Sequence, residues 1–141
     1  MTDCIFCAIK DGKMPATKLY EDEHILAFYN IQQVTKGHTL IIPKHHHEAV
    51  YDLPSKTAAH LFSVVPKLAT ALKEAFSCQG INVLNNNGQA AGQSVFHYHL
   101  HLLPRYGEED IYSDLWKKDA SPENLKGLES FTKRFTELLN D

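Results

Sequence analysis

The segment Ser94-Val95-Phe96-His97-Tyr98-His99-Leu100-His101-Leu102-Leu103 alternates in character every second residue, the signature of a strand with unlike faces. Same-face neighbours in an extended chain lie roughly 6.5 Å apart, so His97, His99 and His101 share one side. Phe96, Tyr98, Leu100 and Leu102 share the other. The apolar side needs a core beneath it, so the chain must build a sheet around this strand. Imidazoles held in a row on a stiff support, with neighbouring carbonyls to fix their tautomers, suit nucleophilic or proton-shuttling work.

The remaining pattern supplies partners for that strand. Residues 5–10 predict a short helix, broken by Gly12 and Pro15. Leu19-Tyr20 and His24 to Asn30 read as strands joined by Glu21-Asp22-Glu23, and His38 to Ile42 as a third, ended by Pro43. Over residues 55–77, Ala58, Leu61, Phe62, Val65, Leu68, Ala69, Leu72 and Phe76 recur at helical spacing. Ser55 is the expected N-cap, Pro66 an expected kink, and Gly80 the expected stop. Ile81 to Asn85 predicts a fourth strand, separated from the fifth (Ser94 to Leu103) by the polar loop of residues 86–93. A last helix, about residues 121–140, is capped by Ser121 and Pro122 and striped by Leu125, Leu128, Phe135, Leu138 and Leu139. The expected fold is α+β, a five-stranded antiparallel meander with helices packed on it.

At 141 residues, with no repeat or linker-like tract, one domain over 1–141 is expected. The net charge of −3 argues against general nucleic-acid binding but not against one small nucleotide in a local pocket. No apolar run approaches the length of a membrane span, and the start Met1-Thr2-Asp3-Cys4 lacks the features of a signal peptide, which predicts a cytoplasmic protein without a disulfide framework.

His97-Tyr98-His99-Leu100-His101-Leu102-Leu103 matches His-φ-His-φ-His-φ-φ, where φ is apolar or aromatic, and by it the chain resembles the histidine triad family. Cys4-Ile5-Phe6-Cys7, Gly37-His38-Thr39-Leu40-Ile41-Ile42-Pro43-Lys44 and Gly92-Gln93-Ser94-Val95-Phe96-His97 also look like segments of that family, in the same order. The resemblance covers about residues 3–107 and leaves the tail as a C-terminal extension.

That resemblance implies a hydrolase or transferase acting at the α-phosphate of purine nucleotides, phosphoramidates or dinucleoside polyphosphates. His99 would attack phosphorus, with its other nitrogen held by the His97 carbonyl, and form a nucleotidyl-imidazole that water then cleaves. His101 would contact phosphate oxygens and the bridging atom, and His38 would complete the constellation with His97. Asn86, Gln93 and Ser94 would hydrogen-bond the phosphates beside glycine-flanked backbone. Ile5, Phe6, Ile9, Phe28, Ile31 and Leu40 would line the nucleoside pocket. Asn30 stands where the family usually carries an Asp that grips the ribose, so it brings hydrogen-bonding capacity without charge. His101, where the sugar-nucleotide transferase branch has Gln, favours the hydrolase branches, and the early Cys-x-x-Cys inclines the reading towards a phosphoramidase.

Cys4-x-x-Cys7 alone is half of a zinc site, a reduced dithiol or a redox pair. One branch of the family implies Cys4, Cys7, His46 and His97 as four ligands of a structural zinc, with no metal needed for the chemical step. The family also implies a homodimer with a ten-stranded sheet across it. Two other functions compete. One is a nucleotide-binding regulator with little turnover. The other is a metal-dependent hydrolase, which would need one ion to reach histidines spread over roughly 13 Å of strand.

Overall fold

The computed structural model describes residues 3–107 and 125–140. The chain divides into two compact units at Gly107–Glu108. The first holds helix α1 (Ile5–Lys10), strands β1 (Lys18–Glu21), β2 (Ile25–Tyr29) and β3 (Thr39–Pro43), the long helix α2 (Ser55–Phe76), and strands β4 (Gly80–Leu84) and β5 (Leu100–Arg105). The second holds helix α3 (Glu129–Leu139), where Phe131, Phe135, Leu138 and Leu139 are exposed along with the N-cap Leu128; a turn at Gly127 and Leu128 interrupts the single helix expected over 121–140. The expected caps Ser121 and Pro122 lie outside the described residues.

All five strands pair antiparallel, as expected, in the order β1-β2-β3-β5-β4. Only β1 to β3 form a simple meander. Helix α2 then carries the chain over the sheet to its far edge, and β5 folds back between β3 and β4. The histidine-bearing strand is therefore internal, which its apolar face required.

The period of two along β2 and β3 separates two cores. Ile25, Ala27 and Ile41 turn towards α2, where Leu61, Val64, Val65 and Leu72 meet Tyr98, Leu100 and Leu102. Leu26, Phe28, Leu40 and Ile42 turn the other way, onto Phe6 and Ile9 of α1. Leu61 is fully buried, and its truncation to Ala would cost about 2–5 kcal/mol. His101, between Leu100 and Leu102, faces the side covered only by the short α1. A six-residue helix cannot cover a whole sheet face, and a cavity is left beside it.

Three local expectations change. Helix α2 is preceded by Pro54 as N-cap with no side-chain cap bond, so Ser55 is its first residue. It ends at Phe76 because Ser77 turns left-handed at φ 52°, while Gly80 opens β4 instead of stopping the helix. The fifth strand begins at Leu100, not Ser94: the approach to it bends over residues 95–97, and the Tyr98 N–H pairs with the His47 carbonyl at 2.6 Å, so His97 and His99 lie outside the ladder. Phe96 belongs to that approach and is exposed, whereas Tyr98, Leu100 and Leu102 anchor the core as expected.

Candidate active site and metal cluster

His99 Nδ1 lies 2.7 Å from the His97 carbonyl. A carbonyl only accepts, so Nδ1 carries the proton and Nε2 keeps its lone pair. Burial lowers the His99 pKa, which favours the neutral ring. The carbonyl of His99 is itself tied to Asn85 Nδ2 at 3.0 Å. Asn85 is in turn held by Asn87, whose Oδ1 accepts the Val50 N–H. The ring of Phe6 packs edge-on to His99 with centroids 5.0 Å apart.

His101 stands 4.8 Å from His99 between ring centroids, and its Nδ1 is 2.9 Å from His38 Nε2. Burial first, and then the neighbouring His99 and His38, push the His101 pKa down to about 4. His38 is held where it is by a loop clasp. Gln33 Oε1 accepts the Gly37 and His38 N–H groups, and Gln33 Nε2 donates to the carbonyls of Asn30 and His38. Gly37 adopts φ +93°, and a Cβ there would meet the Phe76 ring at 3.1 Å, so only glycine fits before His38.

His99 and His101 line a cavity of about 370 Å³ together with Ile5, Phe6, Ile9, Phe28, Ile31, Leu40, Asn30 and Ser94. The expected pocket residues are therefore brought together. Phe6, Ile9, Phe28 and Leu40 also serve the core, while Ile31 is 76% exposed at the rim. Asn86 and Gln93 are not among the residues lining it. The Gln93 amide is engaged in the loop: Oε1 accepts from Gly88 N–H, and Nε2 donates to Glu48 and Val95 carbonyls. The N–H groups of Gly92 and Gln93 also bond within the loop, so its glycines shape the turn rather than leave those donors for an anion.

His97 faces away from this cavity's reactive pair. Its Nε2 is 2.8 Å from the Pro43 carbonyl, which makes Nε2 the donor and leaves the Nδ1 lone pair 3.4 Å from Cys4 Sγ and 3.5 Å from Cys7 Sγ. His46 Nδ1 is 3.4 Å from Cys7 Sγ. The four ligand atoms lie within 4.8 Å of one another, and no other group of three or more His, Cys, Asp or Glu does so among the described residues. Tetrahedral zinc, with Zn–S about 2.3 Å and Zn–N about 2.0 Å, sets an S···N edge of roughly 3.6 Å, so the cluster has the size of such a site. The His97–Pro43 bond is the outer support that metal-ligating histidines ordinarily have. Burial and the adjacent Cys4 raise the Cys7 pKa, so paired thiolates are unfavourable there unless a cation shares the site. His45 is exposed and His47 half-buried, and neither joins the cluster.

Residues 11–108 match the HIT domain model. The chain belongs to the HIT-domain family. Among relatives of this HIT protein, "Protein hit" of Bacillus subtilis (strain 168) is 53% identical over 131 residues, covering 91% of this chain and 90% of the relative. The adenosine 5'-monophosphoramidase hnt1 of Schizosaccharomyces pombe is 38% identical over 126 residues, covering 89% and 92%. The adenylylsulfatase HINT3 of Arabidopsis thaliana is 42% identical over 111 residues, covering 79% of this chain and 56% of that one. A HIT family crystal structure from Bacillus anthracis superposes with TM-score 0.82 at 52% identity, covering 94% and 96%. A zinc-bound histidine triad family protein from Mycobacterium smegmatis superposes with TM-score 0.72 at 41% identity, covering 86% of each chain. Nucleotide hydrolases thus occur within the family, and no described helix is long and apolar enough to cross a membrane.

Sequence reasoning missed Gln33, Asn85, Asn87 and Pro43. Asn85, Asn87 and Pro43 act on backbone or ring groups distant in sequence, whereas Gln33 closes a local loop onto Asn30, Gly37 and His38; only the run Asn85-Asn86-Asn87 after a strand hinted at any of them.

Proposed function

We propose that this HIT protein hydrolyses purine nucleotides at the α-phosphate, with nucleoside phosphoramidates as the favoured class, through a nucleotidyl intermediate on His99 Nε2. The observation that carries this reading is the 2.7 Å bond from His99 Nδ1 to the His97 carbonyl. It leaves a neutral imidazole with its free lone pair on a side chain that lines the cavity, which is what attack on phosphorus requires. His101 contacts the phosphoryl oxygens and the bridging atom, supported from behind by His38. His97 acts at one remove, through its carbonyl. Ser94 assists the leaving group, with Asn86 and Gln93 shaping the adjoining loop. Ile5, Phe6, Ile9, Phe28, Ile31 and Leu40 hold the base and sugar, and Asn30 Oδ1 accepts from a ribose hydroxyl.

Cys4, Cys7, His46 and His97 would hold a structural zinc, whose chemistry is to fasten α1 to the sheet rather than to act on substrate. The catalytic unit is residues 1–107 with the remainder an extension, and a homodimer joining two sheets is the expected assembly. The relatives named as an adenylylsulfatase and an adenosine 5'-monophosphoramidase support this class of reaction, and the spread of His97 and His99 to different surroundings disfavours a shared catalytic metal.

The test is turnover of an adenosine phosphoramidate without added metal by wild type and His99→Ala, with quenched samples weighed for the nucleotidyl adduct. Turnover and adduct in wild type, both lost in the variant, are expected. Binding of the monophosphate without turnover by either protein would make the triad a regulatory binding surface.

A further inference from the structure

Behind the cavity, three side chains form a row whose hydrogen-bond direction is set from one end. Asn30 Nδ2 lies 2.8 Å from the Gln32 carbonyl and 3.3 Å from His38 Nδ1. The carbonyl demands a donor, so the amide nitrogen rather than its oxygen faces this way, with one N–H for each partner. The Val34 backbone N–H also approaches His38 Nδ1, at 3.3 Å. The Gln32 carbonyl also lies beside the His38 ring, but it takes its proton from Asn30 Nδ2 at 2.8 Å; the two N–H donors that converge on His38 Nδ1 leave that nitrogen a lone pair, and the proton of neutral His38 sits on Nε2. That Nε2 is 2.9 Å from His101 Nδ1, which must then accept. The His101 proton is left on Nε2, the ring nitrogen that His38 does not engage. Burial lowers the pKa of both rings, in keeping with neutral forms.

The two cavity histidines thereby acquire opposite polarity. His99, donating through Nδ1 to a carbonyl, presents a lone pair. His101, accepting through Nδ1 from His38, presents an N–H. We propose that Asn30 is a positioning residue that, with the Val34 N–H, sets the direction of the Asn30–His38–His101 row so that His101 offers Nε2–H to the departing atom of the substrate. This rests on the reading of His99 as the nucleophile.

In the first half-reaction the His99 Nε2 lone pair forms a bond to phosphorus and the P–N bond of the phosphoramidate breaks. Its electron pair leaves with the amine nitrogen, which takes the proton from His101 Nε2 while the His38 Nε2 proton moves onto His101 Nδ1; the negative charge then rests on His38, whose Nδ1 faces the Asn30 and Val34 N–H donors, and balances the positive nucleotidyl-imidazolium at His99. In the second, water adds its oxygen to phosphorus and gives its proton to His101 Nε2 as the Nδ1 proton returns to His38. The bonding pair goes back to His99. The atoms of one water are consumed, and all three histidines end as they began.

Long-range proton–nitrogen correlation NMR on the full chain, as purified and labelled with ¹⁵N-histidine, reads these tautomers directly, with His38→Gln and His101→Gln assigning the signals. Wild type is expected to show a bare Nδ1 and a protonated Nε2 on both His38 and His101. A protonated Nδ1 with a bare Nε2 on His101 would overturn the proposal, whether or not the protein turns anything over. In Asn30→Asp, a carboxylate replaces one donor, and the His38 Nδ1 signal is expected to move towards the protonated type. An unchanged His38 would show that Asn30 does not set the row. Activity supplies an independent readout through leaving-group dependence. Asn30→Asp is expected to lose roughly tenfold or more in kcat on an alkylamine phosphoramidate and much less on an arylamine one, with KM changing less than kcat. Equal losses on both would make Asn30 a plain binding residue. If wild type itself turns over neither substrate, the hydrolase reading fails while the NMR comparison still decides the role of Asn30.

Discussion

His97 and His99 are two residues apart, both buried, and both neutral-leaning, yet they belong to different chemistries. His97 donates through Nε2 to Pro43 and turns Nδ1 towards two sulfurs, while His99 donates through Nδ1 to the His97 carbonyl and leaves Nε2 unbound. The difference lies in which nitrogen meets a backbone carbonyl. An imidazole held through Nε2 presents the nitrogen nearer the backbone, which suits a compact cluster. One held through Nδ1 projects the far nitrogen, which suits reach into a cavity. The His97 carbonyl connects them, because the group that orients His99 belongs to the residue the cysteines approach.

The largest effect should come from His99→Ala, which is expected to lower kcat by about four orders of magnitude or more while leaving thermal stability and metal content close to wild type. The same comparison has a pH form. Since the nucleophile must be neutral and burial lowers the His99 pKa, the acid limb of kcat/KM should fall below about 6.5, the ordinary imidazole value. A limb at or above that value would separate the limb from His99.

Cys7→Ser should do the reverse. Zinc content, measured by plasma mass spectrometry, is expected to drop from about one per chain, and stability by on the order of 4 kcal/mol in denaturant titration. Turnover at low temperature should fall by about tenfold at most, through the looser His97 carbonyl. A Cys7→Ser protein as inactive as His99→Ala would erase the division between the two histidines.

Gln33→Ala probes the support of His38 and His101. Four hydrogen bonds are lost from the clasp, so unfolding free energy should fall by about 1–2 kcal/mol and kcat by about tenfold, with metal content unchanged.

The smallest functional effect is expected at Asp22, which belongs to neither region. Its carboxylate accepts from Tyr20 Oη, the His24 and Ile25 N–H groups and His60 Nε2. Burial opposes the charge, but these bonds outweigh it and hold Asp22 well below the usual carboxylate range. A depressed folded-state pKa adds stability that is present above the unfolded value of about 3.9 and is lost as pH falls further. Asp22→Asn should therefore lower stability by about 2 kcal/mol at pH 7, flatten its decline in acid, and leave turnover and zinc unaltered. Calorimetry across pH checks this.

Much of the molecule was legible in residue order. Alternation over residues 94–103 announced a two-faced strand, because a strand's side chains must point to opposite sides, and the structure keeps that strand from Leu100 onward. The period along residues 55–77 announced α2. Local steric and periodic rules act within a few residues, and the strand and the helix follow from them. That Cys4, Cys7, His46, His97, His99, His101 and His38 belong together was implied by the resemblance to the histidine triad family. Strand order, the start of β5 at Leu100, the withdrawal of Gln93 into its loop and the support given by Asn85 and Pro43 were decided only in three dimensions. Each depends on a backbone carbonyl or N–H brought close by another segment. Every residue carries the same backbone groups, so the letters of the sequence do not mark which of them will meet.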